Sequence, residues 1–293
     1  MSKQDTIISL LKEIDENIDN VGGIVNVPKV KVMSLRINDA CINEDGVWEG
    51  ESLIDFSECT SLTNFCSKIN SIRVLDVSNL DTSKVVSFES FVDNCPNLQQ
   101  IKGLEDLDVS NATSFFCCFR NSNLNNQKDI DLRRWNMSNV KNLNRFFSQS
   151  RIHKLNMEGV NTEKVTDFGY FLWQGNVGGL VWINLVGVSA KSASANMNYC
   201  LWEYYDSNRE ITIVGDYTVD EVIDKNLKVF SDLKISFRIN STNLNRASLR
   251  ALINGLADLT DQTTQTLTIG ETLIAKLTEE DIAIATAKNW TIA

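Results

Sequence analysis

The chain offers few side chains that could do chemistry, beginning with its single histidine, His153. Every site that needs two histidines is therefore excluded, including the zincin helix and two-histidine iron centres. A catalytic pair built on His153 would need a nucleophile brought to it by the fold, and the chain has neither a nucleophile elbow nor a glycine-rich phosphate loop. We predict no catalytic residue, no metal and no cofactor, so an enzyme is not expected, although carboxylates are plentiful enough for a glycosidase pair.

Seven cysteines, an odd number, are the other reactive group in the sequence. Their spacing contains no CxxC pair and no zinc pattern. A reduced compartment and unpaired thiols favour cysteines that are buried and act as small hydrophobic side chains. They are Cys41, Cys59, Cys66, Cys95, Cys117, Cys118 and Cys200.

Aromatic side chains cluster late in the chain, where they could bind a sugar or a protein. Trp173 and Trp202 follow equivalent segments, so their rings could stack along one edge of the molecule. The alternative is that late rings replace leucine in the core, which we expect for Phe171 and Tyr199. The candidate ligand patch consists of Trp173, Trp202, Tyr204 and Tyr205.

The composition places the chain among well-packed proteins. Of its 293 residues, 43% are hydrophobic and 23% are charged, and the net charge is −10. An acidic surface repels phosphate, so nucleic acid is not an expected partner. The N-terminus lacks the pattern of a secretory signal, and no apolar run approaches the length of a membrane span. We therefore expect synthesis in a cytoplasm and no membrane insertion.

Residues 1–23 carry a heptad pattern that predicts a coiled-coil helix. Apolar residues alternate at spacings of four and three, and the pair Gly22-Gly23 ends the helix. Isoleucine at both core positions favours three or four strands, so we predict self-association as a homotrimer. The alternative is an amphipathic helix docked on its own domain. The predicted oligomer and attachment seam is Ile7, Leu11, Ile14, Ile18 and Val21.

A twelve-residue unit recurs six times through the middle of the chain. Positions 1, 6, 9 and 12 of the unit are apolar, except that position 9 of the last unit is Asn196. Position 2 is Asp or Asn in five units, and position 4 is Ser in the first four. The units are 54–65, 80–91, 107–118, 135–146, 160–171 and 188–199.

The spacing within and between units predicts their local structure. Positions 6, 9 and 12 recur every three residues and would share one face of a helical or 3₁₀ turn. Polar side chains at positions 2 and 4 suit the entry to that turn, by capping or by Asx-type hydrogen bonds. One strand and one helical turn per 25–28 residues predict a solenoid whose repeats must stack. The expected strands include 72–75, 152–155, 181–183 and 211–214.

The repeat resembles a known family. The strings LDVSNLDTSKVVSFESFVDNCPNL and LEDLDVSNATSFFCCF look like the BspA-like leucine-rich repeat family, which includes a mycoplasma-rich branch with the consensus LD-S-FDTS-V-nM-MF. The resemblance covers roughly residues 50–215 and implies a leucine-rich-repeat-like solenoid used on surfaces for adhesion. Bacterial members usually carry an export signal, which the N-terminus of this sequence does not resemble.

The C-terminal residues predict a second kind of module. An amphipathic pattern predicts a helix over 245–259, strands are expected at 266–270 and 289–293, and Thr278 is expected to cap a helix running through Ala287. The string LTIGETLIAKLTEEDIAIATAKNWTIA resembles a C-terminal module, about fifty residues long, of structural proteins of Bacteroides-type (crAss-like) tailed phages. That resemblance implies a virion protein that stays in the host cytoplasm until lysis.

The predicted fold class is α/β, a leucine-rich-repeat-like solenoid with an N-terminal coiled-coil helix and a C-terminal α/β cap. The predicted domains are the coiled-coil helix (1–23), a linker with the first strands (24–50), the BspA-like solenoid (51–239) and the capping module (240–293).

The predicted function is a structural virion protein of a tailed bacteriophage, a head or tail fibre or a decoration subunit. Its N-terminal helix would attach to other virion proteins of the capsid or tail, and the solenoid would bind a host-surface glycan or protein. A BspA-like bacterial surface adhesin is the alternative, and a polysaccharide-degrading tailspike is the third reading.

Overall fold

A computed structural model describes residues 29–49, 53–124, 126–127, 129–173, 182–185, 188, 211–215, 236–240 and 246–293. Within these ranges the regular elements are short strands, two 3₁₀ turns (Asp39–Cys41 and Leu104–Asp106) and three helices. The strands are β1 (Val30–Lys31), β2 (Val47–Trp48), β3 (Ile54–Asp55), β4 (Val74–Asp76), β5 (Gln100–Lys102), β6 (Asp129–Asp131), β7 (Lys154–Asn156), β8 (Trp182–Leu185), β9 (Ile211–Gly215), β10 (Phe237–Asn240), β11 (Gln265–Thr268) and β12 (Trp290–Ile292). The helices are α1 (Arg246–Asn254), α2 (Glu271–Ile274) and α3 (Glu279–Ala287).

The strands form three parallel sheets in which most neighbours follow one another along the chain. The sheets are β1-β3, β2-β4-β5 and a seven-stranded sheet that runs from β6 to β12. The register aligns the middle residues of successive strands, as with Ile130, Leu155 and Ile183, which are at most 1% exposed. Side chains alternate along a strand, so the residues on either side of each buried one face outward.

The repeated units stack through a second ladder of backbone hydrogen bonds. In the five described units, position 8 forms parallel bridges with position 8 of the neighbouring units: Ser61, Ser87, Ser114, Asn142 and Asp167. Ser34, which precedes the first unit, extends this row by a bridge to Ser61. Further along the turn, the N–H of one unit donates to the carbonyl of the next; the Leu62 N–H, for example, donates to the Ser87 oxygen at 3.0 Å. Neighbouring turns are therefore joined as closely as neighbouring strands.

Two rows of left-handed residues shape these turns. Counting from the start of each unit, positions 11 and 15 have φ between 52° and 63°. An L-residue in this region cannot continue a right-handed helix, so each row prevents a continuous helix at the same point of every unit. Position 11 is Asn64, Ser90, Cys117, Arg145 and Tyr170, and position 15 is Lys68, Asn94, Asn121 and Gln149.

The core lies inside the turns and strands. In the five units that are described, positions 6, 9 and 12 are at most 4% exposed, so their predicted burial is confirmed. Cys59 at position 6 and Cys118 at position 12 are fully buried. Aromatic rings of adjacent units stack on each other: Phe88 and Phe115 have ring centroids 5.1 Å apart, and Phe119 and Phe147 lie 4.8 Å apart.

The predicted fold class is wrong. A leucine-rich-repeat-like α/β solenoid needs a helical turn in each repeat, but the three α-helices in the described ranges all follow residue 245. The left-handed rows explain why positions 6, 9 and 12 lie on turns instead. The strands also form three separate sheets, and β10 to β12 extend the largest sheet rather than making a separate cap. The predicted coiled-coil helix, 1–23, lies outside the described residues.

The expected local elements of the C-terminal segment are confirmed. Helix α1, strand β11, helix α3 and strand β12 lie where the sequence predicted them, with shorter bounds. Thr278 caps α3 through a capping box with Asp281. Helix α2 was not predicted. In the described part of the chain, no helix is long and apolar enough to cross a membrane.

Candidate functional site

The strands β6, β7 and β8 place three polar or aromatic side chains in one outward-facing row. The register pairs Asp129 with Lys154 and Lys154 with Trp182. Adjacent strands lie about 4.8 Å apart, so the three residues are immediate neighbours on the sheet. The residue after each one is buried, which fixes the direction of the row toward solvent.

A second row lies two residues further along the same strands. It consists of Asp131, Asn156 and Asn184, again in register. The Glu158 N–H donates to the Asn156 Oδ1 at 3.2 Å, and the Asn184 amide donates to the Glu158 carboxylate at 3.2 Å. These bonds orient the two carboxamides. Asn184 is only 7% exposed, so the surface called the β6–β8 face below is made by the other five residues of the two rows.

Cationic side chains lie beside both carboxylates of this face. The Lys154 Nζ lies 3.3 Å from the Asp129 Oδ2, and His153 Nδ1 lies 3.8 Å from the other Asp129 oxygen. The Arg133 guanidinium pairs with Asp131 at 2.6 Å, and its hydrogen bonds hold the pKa of that carboxyl below its usual range. Both carboxylates therefore face a cation within hydrogen-bonding or ion-pairing distance at neutral pH.

Two shallow grooves flank β6. The first, called the Trp182 groove, encloses about 560 Å³ and is lined by residues of β6, β7 and β8 that include Asp129, Lys154 and Trp182. The second, of about 560 Å³, lies between β5 and β6 and includes Lys102 and Arg134 among its lining residues. Both grooves are within the size range of small-ligand sites.

The second groove exists because the strand ladder is interrupted between β5 and β6. At the interruption, the Ile101 N–H donates to the side-chain oxygen of Gln127 at 2.8 Å. Nearby, the Asn126 side-chain amide donates to the Gln99 side-chain oxygen at 2.8 Å, so a second contact across the interruption is also made by side chains. Backbone groups at the interruption are thereby satisfied without direct pairing of the two strands.

The β6–β8 face carries groups that can bind a polar ligand. It presents an indole ring, carboxylate acceptors, an ammonium donor and the Asn156 carboxamide, which can both donate and accept. His153 is half-exposed beside Asp129, and the structure brings no cysteine or serine nucleophile to it by any described hydrogen bond. Among the described residues, no three or more His, Cys, Asp or Glu side chains are placed to hold a metal ion.

Of the predicted ligand patch, the structure describes only Trp173. Its indole is half-buried and packs edge-on against Tyr170 with ring centroids 5.6 Å apart, and the Arg145 guanidinium lies 4.8 Å from the Tyr170 ring centre. Trp173 belongs to the turn side of the repeat and not to the strand row. The other patch residues, Trp202, Tyr204 and Tyr205, lie outside the described residues, as do the seam residues Ile7, Leu11, Ile14, Ile18 and Val21.

Trp182 is the aromatic residue that sequence reasoning left out of the candidate patch. The alternation of side chains along the strands could have identified it. Each of the three strands has an apolar central residue, Ile130, Leu155 or Ile183, with a polar or aromatic residue before it and a polar residue after it. Aligning the strands on these central residues would have placed Trp182 beside Lys154 and Asp129. The prediction instead chose Trp173 and Trp202, which follow equivalent repeated segments, together with Tyr204 and Tyr205.

The cysteines take no part in a described site. The six that the structure describes are buried and form no disulfide, which confirms their predicted role as core residues. Burial raises the pKa of Cys117 to about 11 and raises that of Cys118 well above its usual value. These thiols are therefore protonated at neutral pH and poor nucleophiles.

The comparisons with known proteins give one family match. Residues 60–177, about two fifths of the chain, are similar to DUF285, a family described as a Mycoplasma protein of unknown function. No curated protein and no solved structure matches the chain. The matched region holds the units that best resemble the mycoplasma-type, BspA-like repeats, so the chain is similar to that type of repeat over these residues.

Proposed function

We propose that the chain is a structural, non-catalytic virion protein of a tailed bacteriophage, a fibre or decoration subunit that contacts the host surface. The observation that carries the binding role is the β6–β8 face, where Trp182, Lys154 and Asp129 form an ordered outward row. The likeness of the C-terminal residues to structural proteins of Bacteroides-type phages supports the virion role. The N-terminal seam would join three copies and attach them to capsid or tail proteins.

The first experiment asks whether the chain is part of the particle. Particles of a phage that encodes the chain would be purified by density gradient and their proteins identified by mass spectrometry. Peptides from the chain should be recovered in the same fractions as the major capsid protein, at a constant ratio across the gradient. Absence of the chain from infectious particles would overturn the virion role.

The second experiment tests the attachment seam in solution. Multi-angle light scattering should give about three times the 32.9 kDa chain mass for the native protein. Substitution of Ile14→Asp should reduce the mass to that of one chain, because a charge at a core position of the seam is not tolerated. A native protein that is monomeric at micromolar concentration would overturn the trimer.

The similarity of residues 60–177 to a mycoplasma-type family favours one alternative, a BspA-like surface adhesin. In that case the chain would be found on the surface of the cells that encode it. Antibody labelling of intact cells, with and without prophage induction, separates the two. Labelling of uninduced cells supports the adhesin, whereas labelling confined to released particles supports the virion protein.

A further inference from the structure

We propose that the β6–β8 face binds an uncharged carbohydrate, with the Trp182 indole as the platform for a sugar ring. The inference rests on the proposed function and specifies its ligand. It depends on three observations: the rigid placement of the ring, the mixture of hydrogen-bonding groups around it, and the local balance of charge.

Trp182 is held in place by the sheet. It begins β8, between β7 and β9, and its register partners are Lys154 on one side and Thr212 on the other. The adjacent Ile183 is fully buried, so the strand cannot rotate without exposing the core. A ring presented by a central strand loses little conformational entropy on binding, which favours affinity for a weakly interacting ligand.

The groups around the ring match the surface of a sugar. A sugar ring presents C–H groups on its faces, which are attracted to the negative π-face of an indole. Its hydroxyl groups donate and accept at the ring edge. The carboxylates of Asp129 and Asp131 accept, Lys154 donates, and the Asn156 carboxamide can do both. The Trp182 groove places all of these groups in one opening of about 560 Å³.

The charge balance argues for an uncharged ligand. Arg133 and the lysine and arginine side chains that line the two grooves flanking β6 are each paired with a carboxylate. The surface therefore has no excess of positive charge that would attract a polyanion. A protein partner is also disfavoured, because the centre of a protein interface is depleted of charged residues. The pairs are Lys154–Asp129 at 3.3 Å, Arg133–Asp131 at 2.6 Å, Lys102–Asp76 at 3.7 Å and Arg134–Asp106 at 2.5 Å.

The test uses the full chain and the envelope fraction of the host on which the phage grows. Binding of the labelled protein would be measured on untreated envelopes, on envelopes oxidised with periodate, which cleaves vicinal diols, and on envelopes digested with proteinase. We expect saturable binding that survives proteinase and is lost after periodate. Neutral polysaccharide released from the same envelopes should compete, whereas heparin at equal mass should not.

Variants locate the binding to the face. Trp182→Ala should raise the dissociation constant by about tenfold or more, whereas Trp182→Phe, which keeps an aromatic ring, should raise it less. Phe116→Ala is the matched control, because Phe116 is an exposed aromatic residue on the turn side of the repeat. Circular dichroism and thermal midpoints of all three variants would establish that they fold. The comparison of untreated and periodate-oxidised envelopes needs no variant, so it still tests the carbohydrate ligand if Trp182→Ala does not fold.

Three results would overturn the carbohydrate. Binding that proteinase abolishes indicates a protein ligand, competition by heparin alone indicates an acidic polymer, and unchanged binding by a folded Trp182→Ala variant places the ligand elsewhere. If any of these results is obtained but the chain is recovered from purified particles, the virion role is still supported. If the chain binds envelope carbohydrate but is absent from particles, the carbohydrate ligand is supported and the virion role is contradicted.

Discussion

At the scale of single residues, the polar side chains of the repeat form hydrogen bonds that fix the entry to each turn. In all five described units, the side-chain oxygen at position 2 accepts from the N–H at position 4, at 2.9 to 3.2 Å. An Asp or Asn is required because its short side chain reaches the backbone two residues further on. The sequence predicted these Asx-type bonds, and the structure confirms them.

A substitution at Asp108 tests the contribution of one such bond. Its Oδ1 accepts from the Ser110 N–H at 2.9 Å. Asp108→Ala removes the acceptor and should lower the free energy of unfolding by about 1 kcal/mol, as for the loss of a helix cap. Asp108→Asn keeps the acceptor and should cost less than half as much. Urea unfolding followed by circular dichroism measures both, and equal losses would contradict the role of the bond.

At the scale of the element, the left-handed residues decide the shape of the turn. Ser90 at position 11 has φ of 53°, and its N–H donates to the Phe116 carbonyl of the next unit at 2.8 Å. The hydrogen bond between units requires the left-handed conformation at this point. Residue type reveals it only in the first unit, where Asn64 is of a type enriched at positive φ; serine, cysteine, arginine and tyrosine occupy position 11 in the other described units and do not prefer it.

Ser90 variants should follow backbone strain and not side-chain size. Ser90→Gly relieves about 1–2 kcal/mol of strain in the left-handed backbone. Glycine loses more conformational entropy than serine on folding, but this cost is smaller, so the variant should be more stable than the native protein. Ser90→Val should destabilise it, since a β-branched residue is strained there. Val86→Gly, at an exposed position without positive φ, is the control and should destabilise. Thermal midpoints order the variants; a loss of stability in Ser90→Gly would refute the explanation.

The C-terminal helices are joined by one buried carboxylate. Asp281 accepts from the backbone N–H of Thr278 at 3.0 Å and from the Arg246 side chain at 2.9 Å, which links α3 to the start of α1. Arg250 also approaches it, at 3.5 Å. The hydrogen bond from the Thr278 backbone and then that from Arg246 lower the pKa of Asp281 from 3.8 to about 2. The ionised carboxylate is therefore the form that stabilises this end of the molecule.

The Asp281 pKa predicts how stability depends on pH. Because the pKa is lower in the folded than in the unfolded protein, the stabilisation is complete above about pH 4 and is lost as the pH falls through 2. Asp281→Asn should lower the urea midpoint at pH 6, and the gap between native and variant proteins should narrow from pH 5 to pH 2. Denaturation at intervals of one pH unit measures it, and a gap independent of pH would rule out this origin.

At the scale of the whole molecule, stacked rings connect the units into one core. Phe115 is fully buried between Phe88, at a centroid distance of 5.1 Å, and Trp135, at 5.3 Å, and it meets Phe146 edge-on at 5.5 Å. These contacts join residues of three successive units. Loss of one ring should therefore weaken the contact between neighbouring units as well as the unit that carries it.

Adjacent phenylalanines provide a test of this core. Phe115→Ala should lower the free energy of unfolding by about 3–5 kcal/mol through lost burial and the cavity left behind. Phe116→Ala removes a ring that is 37% exposed and should cost much less. Urea unfolding measured by tryptophan fluorescence and by circular dichroism would compare them. Similar losses for the two variants would contradict the assignment of the core.

The sequence by itself determined which side chains are buried and where the local turns begin. Every three residues an apolar side chain enters the core, and Asp or Asn precedes each turn; both depend only on residue type and short-range spacing. The C-terminal capping box was predictable for the same reason. Thr278 and Asp281 are three residues apart, so their reciprocal hydrogen bonds depend only on the local conformation of the chain.

Only the tertiary structure decided how the units join. The spacing of three suggested a helical turn, but hydrogen bonds between turns of successive units hold positions 11 and 15 in the left-handed region, which overrides local helical preference. The interruption of the sheet at Gln127 likewise depends on a side chain meeting the backbone of another unit. Trp182, Lys154 and Asp129 are separated by more than twenty residues from each neighbour in the row, so parallel strand register alone brings them together as a candidate site.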